Sequence, residues 1–182
     1  MDAERNRLRL LEAAYRLLAE HGVANLTMES VAVAAGVGKG TVFRRFGDRA
    51  GLMLELLSHR EEQFQAAYLT GPPPLGPGAP AVDRLHAFGP ALLCHESGHR
   101  DLILAARTDP LRQYGVPGYV LRASHLAMLL REANAPGDPD LLARALLSSV
   151  DTALVDHLTT RENLPLPRLE ASWHHLVTRL AP

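Results

Sequence analysis

Apolar residues recur at three- and four-residue spacing over most of this chain, the period of helices that each bury one side. From Ala3 to His21 the repeat is Leu8, Leu11, Ala14, Tyr15 and Leu18, with Arg5, Arg9, Arg16 and Glu20 opposite or flanking, and Gly22 ends the helix. Thr27 is placed to cap a short helix whose apolar side is Met28, Val31, Ala32 and Ala35, and Gly36 stops it. After that turn a second short helix runs from Gly38 to Phe46, with Val42 and Phe46 on its inner side. A longer helix follows from Asp48 to Leu69, carrying Leu52, Leu56, His59, Gln63 and Tyr68 on mixed faces.

The run GPPPLGPGAP, Gly71 to Pro80, cannot be helical and reads as a connecting loop. Beyond it the same period predicts helices over Val82 to Glu96 (kinked at Pro90), Arg100 to Thr108 and Tyr119 to Ala133, with LRQYGVPG as loop between the last two. Asp138 followed by Pro139 is a cap and first-turn pair, opening one helix from Pro139 to Thr160; a last helix covers Leu166 to Leu180. No strand pattern intervenes, so the fold class expected is all-α.

The segment from Thr27 to Leu57 reads as a helix-turn-helix. A helix entering the major groove reads base edges with its first turn, which must approach closely. Gly38, Gly40 and Thr41 are small enough, and Lys39 can donate to guanine. Arg44 and Arg45 lie further along, within reach of flanking phosphates, while Arg49 and the N-terminal turn after Asp48 offer another anion site. Thr27 could hold the opposite strand in the same way. Charge sharpens this picture without broadening it. Nineteen Lys and Arg against twenty Asp and Glu give a formal net charge of −1, so the basic cluster is local and the chain is no bulk polyanion binder.

In the two terminal helices the apolar stripe is broad. Leu146, Val150, Leu154 and His157 on one, and Leu169, Trp173, Leu176 and Val177 on the other, suit either their own domain's core or a four-helix bundle with a second copy. A single cysteine, Cys94, excludes an internal disulfide, and no stretch reaches the length of a membrane span, so a cytoplasmic protein is expected. His95-Glu96-Ser97-Gly98-His99 matches the HExxH pattern of zinc hydrolases, which needs both histidines on one face of an unbroken helix. Ser97-Gly98 reads as a helix end, so neither catalysis nor a bound cofactor is expected. A metal-responsive role for Cys94, His95 and His99 ranks above hydrolysis.

From Arg7 to Leu57, through RLLEAAYRLLAEHG, LTMESVAVAAGV, GKGTVFRRF and DRAGLMLELL, the chain resembles the N-terminal domain of the TetR family of bacterial transcriptional regulators. It departs from the family pattern at Gly38, where Ser is usual, at Phe43, where Tyr is usual, and at Arg45, where His is usual. The resemblance implies a three-helix DNA-binding domain over residues 1–48 and a helical effector-binding and dimerisation domain over 49–182, with 48–69 as a connecting lever. It implies a homodimer on a palindromic DNA operator, contacted by Thr27, Gly38, Lys39, Gly40, Thr41, Phe43, Arg44, Arg45 and Arg49. The eight terminal-helix residues named above would then form the dimer interface. A repressor released by a small, largely apolar effector is the implied function. Leu92, Cys94, His99, Tyr119, Arg122, His125 and Met128 are candidates for lining its pocket.

Overall fold

The computed structural model describes residues 2–98, 100–106 and 112–181, apart from the side chains of 2, 3, 105, 106, 112 and 113. Every regular element among them is a helix: α1 (Asp2–His21), α2 (Met28–Ala35), α3 (Lys39–Phe46), α4 (Arg49–Leu69), α5 (Ala81–Ser97), α6 (Arg100–Ala106), α7 (Pro117–Glu132), α8 (Pro139–Ser149), α9 (Thr152–Thr160) and α10 (Leu166–Leu180), with 3₁₀ turns at Val23–Asn25 and Arg112–Gly115. None is long and apolar enough to cross a membrane. The chain divides into two compact units, Met1–Arg60 and Glu61–Pro182, with the division falling inside α4.

In the first unit, Leu10, Leu11 and Ala14 of α1, Val31 of α2, Val42 of α3 and Leu52 and Leu56 of α4 are fully buried. Local chemistry sets where these helices begin and end. Thr27 accepts from the Ser30 amide at 3.0 Å while the Ser30 hydroxyl oxygen accepts from the Thr27 amide at 3.0 Å, a reciprocal cap. Gly36 then ends α2 at φ 66°, a left-handed conformation that favours glycine. The Tyr15 hydroxyl donates to the Leu56 carbonyl at 2.6 Å and the Arg60 guanidinium stacks 4.2 Å over the Tyr15 ring, fixing α4 along α1 within this unit.

The second unit is built around Tyr68, Phe88, Leu85, Leu126, Leu129, Leu130, Ala143, Leu146, Trp173 and Val177. Phe64, Tyr68 and Phe88 meet edge-on or tilted, 5.2 to 5.4 Å apart. Arg84, buried, donates to the Tyr68 carbonyl at 3.1 Å and the Leu75 carbonyl at 3.4 Å, which anchors the proline-rich loop. At α5 the Gly89 Cα leaves no room for a side chain, because a Cβ there would lie 2.1 Å from the Trp173 ring. That contact seats the indole, whose Nε1–H donates to the Leu85 carbonyl at 2.8 Å.

Two elements differ from the pattern-based expectation, and one is described only in part. The helix expected from Pro139 to Thr160 is two helices, broken at Val150 and Asp151. Asp151 caps α9 by accepting from the Ala153 and Leu154 amides, and an aspartate in mid-stripe carries no sign of that role. The segment LRQYGVPG, expected as loop, holds the Arg112–Gly115 turn and the start of α7, with Pro117 in its first turn. The helix expected to Thr108 is described to Ala106; 107 and 108 lie outside the described residues.

Candidate functional sites

Helix α3 turns Val42 and Phe46 into the core of the first unit and leaves the rest of its surface in solvent. Gly38, which caps it without a side chain, and Lys39, Gly40, Arg44 and Arg45 are exposed, Thr41 is half-buried, and Phe43 is 39% exposed. A Cβ at Gly38 or Gly40 would meet nothing. Nothing in the chain therefore demands glycine at position 40, although glycine inside a helix costs about 0.5–1 kcal/mol relative to alanine.

The charges on α3 are not all idle. Lys39 pairs with Glu29 of α2 and its ammonium lies 5.3 Å from the Phe43 ring centre; the hydrogen bond from Lys39 holds the Glu29 carboxyl below its ordinary range. Arg45 lies 3.6 Å from Glu55 of α4. Arg49, expected at a phosphate and exposed, donates to the Leu26 carbonyl at 2.8 Å and the Val23 carbonyl at 2.6 Å, closing the turn before α2. The sequence reading missed both Glu29 and this clasp. Asp48 accepts from the Gly51 amide at 2.8 Å, as a cap should, and Thr27 is exposed at the start of α2.

In the second unit the six described pocket candidates do not converge. Leu92 is core, Cys94 is exposed, Met128 is 38% exposed, and His99 lies outside the described residues. Tyr119 is half-buried against Tyr114, and His125 is buried, 3.4 Å from the Arg84 guanidinium. Burial pushes the His125 imidazole down to about 4, and the Arg84 charge adds to it. Among the described residues a cavity lies elsewhere, between α5, α6, α9 and the approach to α10, with a volume of about 230 Å³. Leu93, Val150, Val155, Leu164 and Leu166 supply its apolar wall; Glu96, Ser97, Arg100, Thr152 and Thr159 supply its polar groups. None of the six described candidates lines it.

Arg122 reaches the cavity's chemistry through Glu96. It bonds to Glu61 and, at 2.6 Å, to Glu96, whose other oxygen accepts from the Thr152 hydroxyl. Burial disfavours the Glu61 carboxylate, but the Arg122 guanidinium outweighs it and its carboxyl lies below the ordinary range. Glu96 had drawn notice for a different chemistry, the HExxH match. Helix α5 ends at Ser97 with Gly98 as its cap, so the motif does not sit on one unbroken helix, and Glu96 is spoken for by Arg122 and Thr152. His95 stacks on Phe64 at 4.7 Å with Glu61 at 3.8 Å. Among the described residues no three His, Cys, Asp or Glu are placed to hold a metal ion.

The proposed dimer residues also divide. Leu146, Val150, Trp173 and Val177 are at most 3% exposed, covered by their own protomer, and cannot form a surface for a second copy without repacking. Leu154 at 41% and His157 remain exposed, and Leu169 and Leu176 are half-buried. An apolar period records that a face is covered, not which chain covers it.

Comparison with known proteins falls into two parts. Residues 10–56 match the family described as bacterial regulatory proteins, tetR family. An HTH-type transcriptional regulator of Staphylococcus aureus strain USA300 is 43% identical over 51 residues, 28% of this chain and 28% of that protein's length. Over nearly the whole chain the likeness is to solved structures. A TetR-family regulator from a Rhodococcus species is 20% identical, covering 98% of this chain and 100% of that one, with a TM-score of 0.74. A regulator from Saccharomonospora viridis in complex with choline is 22% identical over 97% and 96%, also at 0.74. The multidrug binding protein EbrR complexed with imidazole is 27% identical over 98% and 90%, at 0.66.

Proposed function

We propose that the chain, whose residues 10–56 match the tetR family of bacterial regulatory proteins, is a member of that family and binds DNA sequence-specifically as a cytoplasmic homodimeric repressor. The observation that carries this is α3: a buried Val42–Phe46 side and an outward side of small and basic residues with open space at Gly40. On this reading Lys39 leaves Glu29 for a base edge, and Arg44 and Arg45 take backbone phosphates. Arg49 serves the fold of the domain more than the DNA. Two such helices in successive major grooves require half-sites about one helical turn apart.

The dimer uses the part of the α9 and α10 surface left uncovered, including Leu154, His157, Leu169 and Leu176. Effector binding is supported by the cavity at Glu96 and Thr152, and two structural relatives were solved with small molecules bound. An occupant releases the operator by binding the DNA-free conformation more tightly, with α4 as the connecting element. Each tenfold weakening of DNA binding takes about 1.4 kcal/mol of that difference.

Selection of random-sequence duplexes on the purified protein at near-physiological salt tests the central reading. Recovery of a palindrome with half-sites one turn apart is the expected result. No enrichment from folded, ligand-free protein would overturn it.

A further inference from the structure

The cavity of the second unit has an unbalanced charge. Glu61 and Glu96, with side chains 18% and 15% exposed, share the single guanidinium of Arg122, itself 14% exposed. Among the described residues Arg122 is the one permanent cation on this pair, and the His95 imidazole lies 3.8 Å from Glu61; with that imidazole neutral, two carboxylates and one cation, mostly out of water, leave an excess negative charge, which is costly unless something compensates it. Of the three, Glu96 reaches the cavity wall. The cavity's own cation does not supply the balance. Arg100 lies 3.1 Å from Asp156 and 3.5 Å from Asp101, two more carboxylates on one guanidinium.

The rest of the wall decides what kind of cation would fit. Leu93, Val150, Val155, Leu164 and Leu166 make the enclosure mainly apolar, unsuited to a hydrated inorganic ion. The hydroxyls of Ser97, Thr152 and Thr159 are close at hand for an N–H donor or a polar head. An anion would face Glu96 with Arg100 already engaged, and an uncharged molecule would leave the excess charge uncompensated.

We propose that this cavity takes a small organic ammonium, its cationic head against Glu96 and its hydrocarbon part against the Leu93–Val155–Leu166 wall. The assignment rests on the effector-binding reading above and narrows it to one chemical class. Arg122 then acts as the resident counter-charge of the Glu61–Glu96 pair, competing with the ligand for Glu96.

The test uses the full-length protein without DNA, titrated calorimetrically with hexyltrimethylammonium, 1-octanol and octanoate. The ammonium is expected to bind at least tenfold more tightly than the alcohol or the carboxylate. Glu96→Gln should reduce ammonium binding to the level of the alcohol and leave the alcohol unchanged, whereas Arg122→Met, removing the competitor, should tighten the ammonium. Octanol or octanoate binding as tightly as the ammonium would overturn the cationic assignment while leaving the cavity as an effector site. Failure of all three to bind the native protein would overturn the effector reading with it. The DNA-binding reading stands or falls separately on the duplex selection.

Discussion

Replacing Gly89 with alanine sets two opposing effects against each other on one α5 position. The added Cβ would lie 2.1, 2.2 and 2.4 Å from three atoms of the Trp173 indole, where ordinary carbon contacts are about 3.5–4.0 Å. The ring must therefore move by more than 1 Å, in a core where it is 1% exposed. Overpacking of this kind costs about 1–3 kcal/mol. The movement also pulls Nε1 off the Leu85 carbonyl, leaving a buried donor and acceptor at a further cost of about 1–3 kcal/mol. Against this, alanine is the better helix former by up to about 1 kcal/mol, an advantage reduced because residue 89 precedes Pro90. The net expectation is a loss of about 2–4 kcal/mol, or about 5–15 °C in the melting of the second unit. Circular dichroism follows the melt. Emission from Trp173, the sole tryptophan, should shift to the red in the folded variant. Unchanged melting with unchanged emission would refute the packing of Trp173 against Gly89.

At Gly40 the same substitution should act in the opposite direction on stability, because a Cβ there meets nothing. Gly40→Ala is expected to stabilise the first unit by about 0.5–1 kcal/mol while weakening binding to the selected operator, measured by fluorescence anisotropy; undiminished affinity would show that α3 makes no close approach there. The His125 imidazole, pushed down to about 4 in the folded chain, takes a proton first in the unfolded one. Stability is therefore full above about pH 6.5 and falls toward pH 4, by about 3 kcal/mol across that window. Urea midpoints of the native protein and His125→Gln at pH 7.5 and 4.5 check this, with the variant expected to lose less on acidification.

Local chemistry made much of the fold legible. Thr27, Gly36, Gly71 to Pro80 and the Asp138-Pro139 pair each act within a few residues, so their consequences are written where they occur. The break at Val150 and Asp151 escaped because Ser148-Ser149-Val150-Asp151 contains no glycine or proline and the apolar stripe continues through it. The cavity escaped for a different reason. Glu96 and Thr152 are 56 residues apart and meet through packing of α5 with neighbours that no local spacing encodes. Trp173 was placed on an interface because periodicity cannot distinguish burial by the same chain from burial by another. On α3 the reading face was legible in the run from Gly38 to Arg45, but Glu29 and the Arg49 clasp depend on contacts 10 and more residues away.

That clasp makes the head of the protein a transferable cartridge. By holding the carbonyls of Val23 and Leu26 from the first turn of α4, Arg49 ties the two ends of the helix-turn-helix together across the segment that contains it. The Thr27 cap, the Val42–Phe46 side and the Tyr15–Leu56 bond all fall within Met1–Arg60 as well, so each of these devices that pose α3 belongs to the first unit. A genetic crossover near Arg60 would pass this head on whole. On the proposed reading, its descendants could acquire a new sensing body in one step and keep the old address on the DNA.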